Sequence, residues 1–186
     1  MKSTLFALRR AALLLVAFTS ISLTMVSCNH EEDDAPYSDS KPLTTKSQLV
    51  GSWKSSYGEV YTITPKTFAS QGSYEGNELK VIYTNTANTQ GYIYIKYTKA
   101  YESTTTNPND SSWQYSSWSN SWYRYSTTAP DVGKWYAISF KGLTSSSVQL
   151  SGAYGAKSST ATLEQAIDTF TVENGYFATY SSCSKK

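Results

Sequence analysis

Residues 113–125 read WQYSSWSNSWYRY and gather Trp113, Trp118, Trp122, Tyr115, Tyr123, Tyr125 and Arg124 into one short stretch. Such side chains recognise rather than react. Their rings offer broad contact area, and a guanidinium beside an indole offers a cation–π contact. A two-residue hairpin turn at Ser119 and Asn120 would place Trp113, Tyr115, Trp122 and Arg124 on one face. Trp118, Tyr123 and Tyr125 would then share the other. A barrel strand needs one apolar face, and this segment has two. Three arrangements fit it: one face fills a barrel while the other lies under a loop, the segment lines or lids a cavity, or it forms an outward platform for sugar rings or a protein partner. The candidate ligand-binding residues are Trp113, Tyr115, Trp118, Trp122 and Arg124.

Residues for catalysis are scarce. The single histidine, His30, lies in a polar stretch far from any strand pattern, whereas a Ser/His/Asp or Cys/His site needs its base held by the fold. His30 and Cys183 cannot supply a four-ligand metal site. There is no Gly-rich phosphate loop and no nucleophile elbow. Glu59, Glu75, Glu78 and Glu102 are carboxylates that could in principle serve glycoside hydrolysis, but their spacing does not set them apart from surface acids. The expectation is a protein that is not an enzyme and carries no cofactor and no metal.

The start of the chain is not fold material. Lys2, Arg9 and Arg10 precede the apolar run AALLLVAFTSISLTMV, and then come Ser27 and Cys28. A charged region, a short apolar region and a small residue before the cut are the layout of a secretory signal, and the run is shorter than the roughly 20 residues of a membrane span. MVSC resembles the lipobox of bacterial lipoproteins, with Met25 where leucine is usual. The resemblance implies cleavage before Cys28, residues 1–27 being a signal peptide, and acylation of Cys28, which anchors the chain to a membrane. Loss of the three basic groups takes the formal charge from +2 to −1, so no electrostatic footprint for nucleic acid remains. Residues 28–46 read as the lipidated cysteine and a flexible, acidic tether with Glu31, Glu32, Asp33 and Asp34. If Cys28 is acylated, Cys183 has no disulfide partner.

The rest, residues 47–183, forms one domain with a β pattern. Short runs of β-branched and aromatic residues alternate with turn residues. Ile93, Ile95 and Tyr97 share a face opposite Tyr92, Tyr94 and Lys96. Tyr136, Ile138 and Phe140 share one opposite Trp135, Ala137 and Ser139. Leu163, Ala166, Ile167 and Phe170 mark a helix over 158–170 capped by Ser159 or Thr160, and 176–183 reads as the last strand. The fold class is all-β: an antiparallel up-and-down β-barrel of about 8 strands, with one short helix before the last strand.

Gly51-Ser52-Trp53 resembles the Gly-x-Trp signature of the lipocalins, and GSWK, SFKGLT (139–144) and YFATYSSC (176–183) are similar to motifs of small bacterial lipocalin-like lipoproteins. The resemblance covers 48–183 and implies a lipocalin-like barrel with Gly51 and Trp53 at its closed end. In lipocalins an arginine near the last strand stacks on that tryptophan; here only Lys185 and Lys186 are near. Together these features lead to a lipid-anchored protein of the bacterial cell envelope, at the outer membrane on either face. Its expected role is non-enzymatic binding of a small apolar or amphipathic ligand. The alternative is a surface module for glycan or protein partners.

Overall fold

The computed structural model describes residues 39–186. The signal peptide, Cys28, His30 and the acidic run Glu31–Asp34 lie outside the described residues. Ten strands and one helix follow in order: β1 (Gly51–Ser55), β2 (Val60–Ile63), β3 (Phe68–Ser70), β4 (Glu75–Tyr83), β5 (Gly91–Thr104), β6 (Gln114–Ser116), β7 (Ser121–Ser126), β8 (Trp135–Lys141), β9 (Ser147–Gly152), α1 (Leu163–Thr169) and β10 (Ser181–Lys185). Eight of the strands close into an antiparallel barrel: β1-β2-β3-β4-β5-β8-β9-β10 and back to β1. Strands adjacent in this circuit are successive in the chain, apart from the β6–β7 hairpin inserted between β5 and β8. Closure pairs the strand edges that an open sheet would leave exposed.

The inner face follows the period of two. Val81 pairs with Ile93, Ile93 with Ile138, and Phe140 with Leu150, and all five are at most 4% exposed. Each such side chain stabilises the fold by about 1.5–3 kcal/mol on burial. The outer face of β8 is buried too, because α1 and the segment before β10 cover it. Ala166, Ile167 and Phe170 are buried there, Phe177 packs on Tyr92 at 5.5 Å, and the Tyr180 and Ser139 hydroxyls are 2.8 Å apart. A helix as short as α1 does not stand alone; this docking holds it.

Two boundaries differ from the sequence reading. The helix starts at Leu163, not near 158, because Thr162 is its N-cap and accepts from the Gln165 amide at 3.2 Å, while Gln165 Oε1 accepts from the Ala161 amide at 3.2 Å. Thr-x-x-Gln is a capping-box pattern. The last strand is Ser181–Lys185; of the expected 176–183 only its end is strand. Lys41, assigned to the tether by its composition, exchanges two backbone hydrogen bonds with Val81, and Leu43 beside it is buried.

Trp53 seals one end of the barrel. It is 0% exposed, and its indole N–H donates to the Leu49 carbonyl at 2.8 Å. Lys185 stands over it, with Nζ 5.0 Å from the ring centroid and donating to the Gln48 carbonyl at 3.0 Å. Lys185 thus caps the tryptophan from the last strand. Gly51 makes room for it: φ is 143°, and a Cβ would lie 2.7 Å from Lys185 Cε. Lys185→Ala is expected to lower the unfolding free energy by about 1 kcal/mol, and Lys185→Arg to keep it. Urea denaturation of the two variants checks this.

Candidate ligand site at the barrel mouth

β5 outruns the barrel. Its first half pairs with β4 and β8, and its far half, Ala100–Thr104, pairs with β7, which pairs with β6. A three-stranded ribbon therefore extends β5 from the end opposite Trp53. Tyr101 lies across from Tyr125, Ser103 from Tyr123, Glu102 from Arg124 and Tyr115 from Trp122. One face of the ribbon carries Tyr101, Tyr123, Tyr125 and Gln114. The other carries Trp113, Tyr115, Trp122, Arg124 and Glu102.

Trp118 belongs to neither face, in contrast to the expected pairing with Tyr123 and Tyr125. The turn spans 117–120 rather than Ser119–Asn120 alone, and Trp118 sits at its tip, 98% exposed. The wider turn has local support. Asn120 adopts φ of 48°, which asparagine tolerates better than most residues. Its side-chain oxygen accepts from the Tyr115 hydroxyl at 2.6 Å, and the Ser119 amide donates to Ser116 Oγ at 3.3 Å.

Arg124 has its partners within the chain. Nε donates to Glu102 at 2.6 Å, Nη1 donates to Ser112 Oγ at 3.0 Å and lies 3.5 Å from Asp110, and the guanidinium sits 4.6 Å from the Trp113 ring centroid. This cluster ties the 105–113 connection to the ribbon. Tyr115 and Trp122 pack on one another at 5.3 Å, Tyr115 being 52% exposed. Glu59 accepts from the Tyr61 hydroxyl, Glu75 and Glu78 face Lys99 and Lys96, and Glu102 faces Arg124. These four carboxylates are not brought together as a pair.

The barrel interior is filled. A void of about 60 Å3 remains among Tyr61, Phe68, Tyr74, Ile138 and Leu150, space for a water molecule or two. The roomier cleft is at the mouth, about 430 Å3, within the ~300–1,000 Å3 usual for ligand sites. Six tyrosines line it: Tyr74, Tyr97, Tyr101, Tyr125, Tyr136 and Tyr154. Of the aromatic stretch, Tyr125 takes part in the lining, while Trp113, Tyr115, Trp118, Trp122 and Arg124 do not. Three other surface concavities, of about 540, 510 and 450 Å3, are larger, but none has converging aromatic groups: the first is lined by Pro42, Pro65, Leu79 and polar side chains, the second by residues around Thr160 and Asp168, and the third has Tyr83 alone.

Tyr74, Tyr97 and Tyr136 form the floor. Tyr136 stacks on Tyr97 at 5.0 Å and meets Tyr74 edge-on at 5.3 Å, and its hydroxyl donates to the Ala153 carbonyl at 3.0 Å. Burial holds all three phenols well above the usual tyrosine range, so they remain neutral hydroxyls. Tyr101 and Tyr154 stand at the rim, exposed. Cys183 is a buried thiol inside the barrel, and burial, helped by Glu59, pushes it up to about 11; it stays protonated and unreactive.

Asp131 fixes the rim. It accepts from Ser158 at 2.6 Å, Ser159 at 2.7 Å and Lys134 at 3.0 Å. Partial burial pushes its pKa up, yet the three donors outweigh this and hold it below the ordinary 3.8. A depressed folded-state pKa means the stabilisation is complete above the unfolded value and is lost as pH falls through the folded one. Asp131→Asn should therefore melt below the parent protein above about pH 4, and the gap should close as pH falls toward 2. Paired melting curves against pH check this.

None of the six cleft tyrosines was among the candidate ligand-binding residues read from the sequence, though a signal was present. Along the inner face, β5 runs Ile93, Ile95, Tyr97 and then Tyr101, and β8 runs Phe140, Ile138, Tyr136. Both change to tyrosine at the same end of the barrel. No family model, curated protein or solved structure matches the chain, so what it does is to be inferred from this tyrosine-lined cleft.

Proposed function

We propose that the chain is a lipid-anchored, lipocalin-like lipoprotein of the bacterial envelope that binds a small amphipathic molecule at its barrel mouth without altering it covalently. The observation that carries the reading is the cleft of about 430 Å3 lined by six tyrosines, each with an apolar ring and a polar tip. The anchor rests on the sequence, Val26-Ser27-Cys28 behind an apolar run. The described chain joins the barrel through Lys41 and Leu43, at the end sealed by Trp53.

Two experiments test this. Cys28→Ser should release the chain from the membrane fraction. The full chain, titrated with a panel of fatty acids, sterols and saccharides while melting is followed, should respond saturably to at least one class. Tyr125→Ala should remove that response without changing the melting of the free protein by more than a few degrees. A response unchanged in Tyr125→Ala would sink the cleft as the site.

A surface module for a glycan or protein partner is favoured by one observation, the full exposure of Trp118 at the ribbon tip. The two readings separate cleanly: Trp118→Ser leaves binding at the cleft unchanged and abolishes binding at the tip.

A further inference from the structure

We infer that the molecule taken by this cleft is an uncharged oligosaccharide, one sugar ring seated on the tyrosine floor and the next units running along the tyrosine face of the ribbon. The inference rests on the reading that the cleft is a binding site, and it names the ligand class.

The lining chemistry comes first. Besides the six tyrosines, Ala153 supplies the one aliphatic side chain among the lining residues. An alkyl chain laid there would cover phenol hydroxyls while offering them no hydrogen bond, which is costly. A pyranose matches the lining on both counts. Its C–H faces lie on ring faces, and its hydroxyl edges meet groups that both donate and accept.

The ring geometry separates a sugar from a flat heteroaromatic ligand. A flat ligand is held best when sandwiched between two parallel rings with a gap between them. In the cleft the near-parallel pair, Tyr97 and Tyr136, is already in contact at 5.0 Å. The other pairs meet at steep angles: Tyr74 with Tyr97 at 83°, Tyr74 with Tyr136 at 74°, Tyr101 with Tyr125 at 69°. Walls at such angles make corners, which suit a puckered ring with substituents in several directions.

Charge narrows the class again. No acid lines the cleft, and its one cation, Lys157, is on the exposed rim loop. The ribbon face that continues from the cleft shows Tyr101, Ser103, Gln114, Tyr123 and Tyr125, none of them charged. Glu102 and Arg124 are on the opposite face and are paired with each other. A polyanion finds no row of cations here and a cationic ligand finds no acid.

The tyrosines also form a row. Tyr101 meets Tyr125 at 5.7 Å on the cleft wall and Tyr123 at 6.0 Å beyond it. Tyr123 and Tyr125 are two residues apart on one strand, about 7 Å along it. The Tyr123 hydroxyl donates to Gln114 Oε1 at 2.8 Å, which fixes the phenol and leaves the Gln114 amide N–H groups to donate outward. The track is longer than one sugar ring, so affinity should grow with chain length.

The test is calorimetric titration of the full chain with neutral glucan, mannan and N-acetylglucosamine oligomers of increasing length, alongside a uronic-acid oligomer and a fatty acid. Expected is binding of one neutral series, about tenfold tighter or more for the longer members than for the monosaccharide, with the uronic series weaker. Tyr101→Ala should abolish binding at every length. Tyr123→Ala should remove the gain with length and leave the monosaccharide as in the parent, and Tyr123→Phe, which keeps the ring, should retain most of the gain. Circular dichroism melts confirm that the variants fold. Saturable fatty-acid binding lost in Tyr125→Ala, with no saccharide bound, would overturn the ligand class and leave the cleft reading standing. Saccharide affinity that is flat with length, or untouched by Tyr123→Ala, would overturn the track. Binding of neither class would remove both readings.

Discussion

Trp53→Ala is expected to lower the unfolding free energy by about 3–5 kcal/mol, the usual cost of emptying a buried aromatic site. Three losses coincide at this position. The ring is 0% exposed, so its removal leaves a cavity at the end of the barrel where the strands cannot collapse without breaking closure. The Leu49 carbonyl loses the indole N–H that satisfied it, and an unpaired buried acceptor is costly in itself. Lys185 loses the ring under its ammonium group. Trp118→Ala is the matching control, because Trp118 is 98% exposed and its loss should change stability by less than about 0.5 kcal/mol. Equilibrium urea unfolding, followed by circular dichroism so that loss of a tryptophan does not alter the signal's origin, measures both. A cost below about 1 kcal/mol for Trp53→Ala would show that the closed end does not depend on this plug.

These two tryptophans also show what the sequence makes legible. Trp53 was readable from its company, a glycine two residues before it and the start of a strand pattern. Trp118 was read as part of a strand face because WQYSSWSNSWYRY alternates well enough on paper. What moved it to a tip was turn chemistry: Asn120 in a left-handed conformation and a serine-rich loop bonding to itself. The same local competition displaced the last strand. Tyr176-Phe177 has the stronger β composition, yet Ser181–Lys185 forms the strand, because β9 and β1 offer it unpaired edges on both sides and Cys183 needs only a small inward space. The β5 and β8 alternations, by contrast, were strong enough for the inner face of the barrel to be read residue by residue.

The cleft was harder to foresee because it depends on register between distant segments. Nothing local joins Tyr74 on the β3–β4 turn, Tyr97 and Tyr101 on β5, Tyr125 on β7 and Tyr136 on β8. They meet because Ile95 pairs with Tyr136 and Tyr101 with Tyr125, so a shift of one residue in either pairing would turn half of the rings outward. The aromatic-rich stretch drew attention to this hairpin, in which the Trp113 and Arg124 side is bound up in its own contacts and the tyrosine side leads to the mouth.

Gly152→Ala should damage both fold and cleft, and the reason can be isolated. Gly152 ends β9, paired with Ile138, and its φ is not in the left-handed region, so alanine is allowed there by the backbone. On conformational entropy alone the substitution would stabilise by about 0.4–1 kcal/mol. Sterics oppose this. A Cβ at Gly152 would run into the Tyr136 hydroxyl and come within 3.6 Å of the Tyr74 hydroxyl. Tyr136 is 7% exposed and packed by Tyr97, Tyr74 and Phe170, so its ring can yield only toward the cleft, giving up its bond to the Ala153 carbonyl. Overpacking and an orphaned carbonyl together cost about 2–4 kcal/mol, which leaves a net loss of about 2 kcal/mol after the entropy gain. The displaced ring would also fill the floor of the cleft, so ligand affinity should fall with stability. Removing the hydroxyl should relieve the clash. In the Tyr136→Phe background, Gly152→Ala should cost at least 1 kcal/mol less than it does alone, a coupling that a double-mutant cycle measures directly. Equal costs in the two backgrounds would mean that the phenol moves aside freely, and that the floor of the cleft is softer than its packing implies.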